Sequence, residues 1–292
     1  MRPGPAFRHY ILRVHVVELS NHPGDMLDDA ARRRLATEKR VLSVYEDELV
    51  RYRVRVQAVR VRRDRARAGR RWWTWLKLSL AVWRQKRTIP RPPVPAAGHP
   101  TDLEEKIMAG IAGEQLVASE LGRALDDDWT LLRGYRNRRG EIDQLLLGPR
   151  GLFAIEVKNL NATVYVDGDR WRADKYDNYG NLVEQRPIAD RMGRSPSVQL
   201  NEPADDLERF LRERGQPAEV QRVVILAHRR SALGPVRNPT VLVGTSAGYA
   251  LSLIEESAVR LDRGQRAAIG ALIRRDHEFH GRRRRPGTSP RR

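Results

Sequence analysis

Apolar positions along this chain change their period several times, and each change predicts an element. Phe7, Tyr10, Ile11, Leu12, Val14, Val16, Val17 and Leu19 crowd a strand-like run, and the turn Asn21-His22-Pro23-Gly24-Asp25 predicts a helix starting near Asp25 or Asp28. Leu35, Leu42, Tyr45, Leu49, Tyr52, Val56 and Val59 then recur at steps of 7, 3, 4, 3, 4 and 3 on a highly charged background. That spacing is a heptad-like stripe, and it outweighs the strand-like alternation of RYRVRV at 51–56. A coiled coil through residues 35–59, or a helix packed on a partner, is the expectation.

The next segment, Arg70 to Arg84, places Trp72, Trp73, Trp75 and Trp83 among basic residues. It suits a helix lying on an anionic membrane surface, an aromatic platform for nucleic acid, or a buried helix capping the coiled coil. Ile89-Pro90-Arg91-Pro92-Pro93-Val94-Pro95 cannot continue a helix and reads as a stiff linker. Beyond it the pattern predicts a helix over 102–124 and a short strand at 129–132. A basic loop from Gly134 to Gly140, a hairpin 142–147/152–157 and a third strand at 163–166 follow. Residues 172–196 are polar and read as a long excursion or lid. A helix from Pro196 to about Arg214, strands at 220–227 and 240–243, and helices over 247–258 and 262–279 complete the order. Strands interleaved with helices in this way predict an α/β domain built on a mixed sheet. The chain thus divides into a strand-like segment (1–25), a basic helical region with a Trp-rich end (26–88) and a linker (89–100). An α/β domain (101–258), a C-terminal helix (259–280) and an Arg-rich tail expected to be disordered (281–292) follow.

The hairpin carries the chemistry. Glu141-Ile142-Asp143 enters its first strand and Glu156-Val157-Lys158 leaves its second, across the turn Gly148-Pro149-Arg150-Gly151. Closing the hairpin on Gly148 and Gly151 sets Asp143 opposite Glu156 and Glu141 opposite Lys158. Opposed carboxylates destabilise a bare sheet, whereas a divalent cation between them makes a binding site. Two carboxylates holding Mg²⁺ (or Mn²⁺), with an amine beside them, suit phosphodiester hydrolysis. The metal polarises the phosphate and acidifies a bound water, and the lysine positions that water or stabilises developing negative charge. A structural ion-pair group is the other reading, but exposed pairs contribute only about 0–1 kcal/mol.

Charge adds a partner. Residues 1–100 hold 23 Lys/Arg against 9 Asp/Glu, residues 101–280 hold 26 against 28, and the last twelve hold 6 Arg and no acid. The net charge of +18 therefore sits at the two ends of a near-neutral domain, an electrostatic footprint for nucleic acid or an anionic membrane. Cysteine is absent, which removes disulfides, thiolate metal sites and cysteine nucleophiles and fits the cytoplasm, with nucleoid or membrane association open. No His pair has metal spacing, and neither a Gly-rich phosphate loop before a helix nor a Gly-x-Ser-x-Gly elbow occurs. Zinc, nucleotide-hydrolysis and serine-hydrolase chemistry are therefore disfavoured.

An acid thirteen residues ahead of Glu156-Val157-Lys158 resembles the PD-(D/E)XK nuclease superfamily. The longer pattern is more specific. Gly110-Ile111-Ala112-Gly113-Glu114, the segment from Glu141 to Asn159, and Pro196-Ser197-Val198-Gln199 resemble the NERD (nuclease-related) domain over residues 107–212. The resemblance implies a restriction-endonuclease-like core, with Asp143 and Glu156 as metal ligands and Lys158 as the catalytic amine. It also implies that Glu114 supports the metal or its waters and that Gln199 contacts water or substrate. The approach Arg136-Asn137-Arg138-Arg139 and the 40-residue gap between Lys158 and Gln199 depart from the family's usual look. Arg136, Arg138, Arg139 and the tail residues Arg282, Arg283, Arg284 and Arg285 are the candidates for holding a nucleic-acid backbone, DNA ahead of RNA. A non-catalytic nucleic-acid-binding or membrane-peripheral scaffold that keeps the fold is the alternative.

Overall fold

The protein is described from a computed structural model covering residues 14–93 and 100–282. The strand-like residues 7–13, the linker residues 94–99 and the tail residues Arg283, Arg284 and Arg285 lie outside the described residues. The chain divides into two compact units, Met1–Asp25 with Lys106–Arg292, and Met26–Glu105.

The larger unit is built on a six-stranded mixed sheet. In chain order it uses β1 (His15–Glu18), β2 (Thr130–Arg136), β3 (Glu141–Gly148), β4 (Gly151–Lys158), β8 (Val220–Leu226) and β10 (Leu242–Gly244). They lie side by side in that order, with β1 parallel to β2, β2, β3 and β4 antiparallel in succession, and β4, β8 and β10 parallel. The segment 1–25, set apart in the sequence, thus supplies an edge strand. Helices α4 (Pro196–Glu213) and α6 (Arg263–Arg282) cover one face, where Leu200, Leu207, Ile269 and Ile273 meet Leu145, Leu152 and Val224. Helices α3 (Asp102–Ala124) and α5 (Ala247–Glu256) cover the other, where Val117, Leu121, Ala250 and Ile254 meet Leu146, Phe153 and Ile225. Burial on both faces explains why β3, β4 and β8 read as nearly continuous apolar runs rather than alternating ones.

A second sheet corrects the excursion expected at 172–196. β5 (Thr163–Asp167), β6 (Arg170–Tyr176), β7 (Leu182–Pro187) and β9 (Ala232–Arg237) form it in the order β7-β6-β5-β9. β5 is the strand expected at 163–166, whereas β7 and β9 went unread because β7 is exposed throughout and β9 nearly so, which leaves no buried face to impose a two-residue period. In β6 only Trp171, Ala173 and Asp174 are buried. The loop expected from Gly134 to Gly140 is also shorter, because β2 runs on to Arg136. Asn137 closes the remainder, its Oδ1 accepting from the backbone N–H groups of Arg139 and Gly140 at 3.0 and 3.2 Å.

The smaller unit holds most of α1 (His22–Ala68) and all of α2 (Trp72–Lys86). RYRVRV is helical, as the longer spacing requires. Val56 and Ala66 of α1 and Val82 of α2 are buried, Tyr45, Leu49, Tyr52 and Val59 are half-buried, and Leu35 and Leu42 are exposed. Ile89 lines a cleft with Val54, Ala58 and Val61, so the chain returns alongside α1 after α2. Among the described residues, no helix is long and apolar enough to cross a membrane.

Candidate active site

The β3–β4 ladder keeps the expected register from Gly148↔Gly151 to Gln144↔Ile155 and stops there. β3 continues beside β2 as far as Arg136↔Glu141, while β4 continues beside β8 as far as Lys158↔Leu226. The two strands part at the residues that carry the acids. The expected cross-strand pairs Asp143–Glu156 and Glu141–Lys158 therefore do not form as ladder pairs. Asp143 Oδ2 instead accepts the backbone N–H of Val157 at 2.8 Å, and Glu141 is ion-paired with Arg136.

The cause lies one strand away. Leu132 pairs with Leu145 and Tyr135 with Ile142, and all four belong to the same core cluster although three positions separate each from the next. A regular strand cannot take an odd step and stay on one face. Gly134 and Asp143 occupy the break. Gly134 has φ +69°, and a Cβ there would stand 2.4 Å from the Ser20 carbonyl oxygen, so both its backbone and its neighbour demand glycine. Ser20 Oγ secures the distortion by donating to the Gly134 carbonyl at 2.8 Å.

Lys158 joins the hairpin to α4. Its Nζ donates to Glu156 Oε1 at 2.6 Å and to Gln199 Oε1 at 3.0 Å, and Gln199 Nε2 donates to the Arg194 carbonyl at 2.6 Å. Gln199 is fixed in the first turn of α4, which starts with Ser195 as N-cap and Pro196 at the first helical position. The second sheet ties this turn down. Trp171 Nε1 donates to Ser197 Oγ at 3.1 Å, and Ser197 Oγ donates to Asp169 at 2.6 Å. The long sequence gap before Gln199 is thus the second sheet folding out and back.

Glu114 approaches from α3. Gly113 lets that helix close on the end of β4, since a Cβ at 113 would come within 2.9 Å of the Asn159 Cβ. Gln144 Nε2 donates to the Glu114 carbonyl at 2.8 Å. The Glu114 carboxylate stands 3.9 Å from Arg133 Nη2, and Arg133 Nη1 donates to Glu18 at 3.0 Å. A cavity of about 240 Å³ opens here, lined by Glu18, Glu114, Arg133, Glu141 and Asp143 among others. Glu18, Ser20 and Arg133 are site neighbours that no spacing in the sequence marks, since two lie more than a hundred residues before the hairpin.

Burial and crowding set the charges. Burial first, then the Glu156 and Glu114 carboxylates, push the Asp143 carboxyl well above its usual range, against Lys158 and the Val157 N–H. Glu114 rises to about 7, mainly by burial, with Glu156 and Glu141 adding to it and Arg133 and Lys158 opposing. Burial disfavours the Lys158 ammonium, but Glu156, Asp143 and Glu114 outweigh it and hold the amine above the ordinary lysine value. Negative charge here exceeds what one lysine balances. As the side chains stand, no group of three or more His, Cys, Asp or Glu is arranged to hold a metal ion among the described residues. The donor set is nonetheless all oxygen, and Mg²⁺ is commonly held by one or two carboxylates with waters and substrate phosphates completing its shell. Asp143 and Glu156 fit that requirement.

The candidate backbone-binding arginines have separate fates. Arg136 is half-buried in β2 against Glu141, Arg138 is 56 % exposed yet donates from Nε to Asp206 at 2.9 Å, and Arg139 is exposed. Arg282 ends α6, and the rest of the arginine run lies outside the described residues.

Residues 109–227 match the family model described as nuclease-related domain, NERD. By that match this region is similar to the nuclease-related domain family. The match runs from α3 to the end of β8 and includes Glu114, Asp143, Glu156, Lys158 and Gln199, consistent with the wider PD-(D/E)XK-like nuclease superfamily. It leaves outside it β1, α1, α2 and everything from β9 onward, so Glu18 and Ser20 reach the site from beyond the matched residues. No curated protein and no solved structure matches the chain.

Proposed function

We propose that this protein is a metal-dependent nuclease that hydrolyses phosphodiester bonds of nucleic acid, DNA ahead of RNA. The observation that carries the reading is the meeting of Asp143, Glu156, Lys158 and Gln199 where β3 and β4 part, in a region similar to the nuclease-related domain family. Asp143 and Glu156 would hold Mg²⁺ (or Mn²⁺), with Glu114 supporting its waters from α3. When bound, that ion polarises the scissile phosphate and lowers the pKa of a coordinated water.

The side chains divide the remaining work. The carboxylates hold Lys158 above the ordinary lysine value, so it stays an ammonium at neutral pH and acts as a donor rather than a base. Two of its three hydrogens are directed to Glu156 and Gln199, which leaves the third for a phosphoryl oxygen or the attacking water. Gln199 fixes that direction because its amide is itself anchored on the Arg194 carbonyl. The exposed Arg139 and the basic termini supply backbone contacts independent of sequence, so binding weakens steeply with salt.

Cleavage of linear, circular, single- and double-stranded substrates by the wild type and by Asp143→Ala, Glu156→Ala and Lys158→Ala tests the reading. Cutting that needs Mg²⁺ or Mn²⁺ and is lost in all three variants supports it. Equal cutting by all four proteins, or none by the wild type with any divalent ion, refutes it.

A further inference from the structure

Helix α2 has two faces of different character. Trp75 and Leu78 are half-buried and Val82 is buried, whereas Trp72, Trp73, Leu76, Leu80 and Trp83 are exposed at 65, 79, 54, 49 and 50 %. At 3.6 residues per turn those five exposed positions fall within roughly 100° of the helix circumference. They form one stripe rather than scattered surface residues. Lys77 and Arg84 border the stripe at the same spacing, and the Arg87 guanidinium lies 3.8 Å from the Trp83 ring centroid. Between Arg60 and Arg91 the chain carries twelve Lys/Arg and a single acid, Asp64.

We infer that this face of α2 is a docking surface that lays the protein on an anionic lipid bilayer. Large exposed apolar patches rimmed by polar residues mark interaction sites, and tryptophan favours the boundary between headgroups and acyl chains. The basic rim matches anionic headgroups, which attract clustered Lys and Arg side chains near the membrane surface. The same charge repels a second copy brought to this face. Fifteen residues span only about 22 Å, too short for the roughly 30 Å hydrocarbon core, so α2 lies in the interface plane. Nucleic acid matches the charge but not the surface. Bases stack on rings, whereas Leu76 and Leu80 continue the stripe between the rings and have no use on a polyanion. The inference rests on α2 alone and stands or falls apart from the nuclease reading.

The test uses the full-length protein with vesicles of phosphatidylcholine alone or mixed with phosphatidylglycerol. Flotation should occur with the anionic vesicles, with a blue shift of tryptophan emission and quenching by acyl chains carrying bromine. Trp129 and Trp171 are 5 and 4 % exposed, so that quenching reports α2. Combined Trp72→Ser, Trp73→Ser and Trp83→Ser substitution should keep the far-UV circular dichroism and weaken partitioning roughly tenfold or more. No flotation of the wild type overturns the inference, as does flotation without acyl-chain quenching, which would leave only charge attraction by the basic ends. Emission changes with an oligonucleotide but not with vesicles would assign the stripe to nucleic acid. A dimer broken by the triple substitution, with no vesicle binding, would assign it to a second copy.

Discussion

Replacing Glu114 by glutamine should stabilise the metal-free protein, and only above a defined pH. The Glu114 carboxyl is raised from 4.5 to about 7, with burial as the largest cause, and its side chain is only 16 % exposed. The folded state therefore binds its proton more tightly than the unfolded chain does. Stability falls as pH rises from about 4.5 through about 7, and the loss is complete above that. At about 1.4 kcal/mol for each pKa unit, the charged form costs about 3 kcal/mol at pH 8. Glutamine keeps the shape and carries no charge. Urea titrations with EDTA should show the two proteins close in stability near pH 5 and the variant ahead by about 3 kcal/mol at pH 8. In melting temperature that is about 2–4 °C for each kcal/mol in a unit of this size. Saturating Mg²⁺ should narrow the gap by stabilising the wild type. A variant that gains nothing between pH 5 and 8, or gains as much at pH 5, would refute the electrostatic account of the site.

Two further substitutions probe its construction. Lys158→Ala leaves Glu156, whose side chain is 6 % exposed, without its ammonium, and should cost about 3–5 kcal/mol in urea titration as well as activity. Gly134→Ala must hold φ +69° against the Ser20 carbonyl and should lose about 1–3 kcal/mol, with cleavage falling as Asp143 loses its place; unchanged stability would show that the break does not depend on this glycine.

Much of the fold is legible in the sequence because burial imposes a period. The helix at 102–124 and the helix starting at Pro196 follow from apolar spacing, and the hairpin register follows from Gly148 and Gly151 as far as Gln144↔Ile155. Legibility ends where burial ends. β7 is exposed and β9 nearly so, so they carry no pattern. The parting of β3 and β4 has its origin in Gly134 of β2 and in Ser20, and no reading of the hairpin alone contains it. For the site, residue chemistry points to Asp143, Glu156 and Lys158, whereas Glu114 and Gln199 come from the family resemblance. The structure brings Gln199 within 3.0 Å of Lys158. Arg133 and Glu18 become neighbours of Glu114 only through the pairing of β1 with β2 and the packing of α3.

The central claim is that the opened end of the β3–β4 hairpin cuts nucleic acid with the help of a divalent ion. Its most direct test is the initial rate of plasmid cleavage by the wild type and Lys158→Ala, in Mg²⁺ and in EDTA, with folding of both confirmed by circular dichroism. The account predicts cleavage in Mg²⁺ alone and a loss of at least about a hundredfold in the variant. Cleavage that persists in EDTA, or that Lys158→Ala leaves intact, would contradict it.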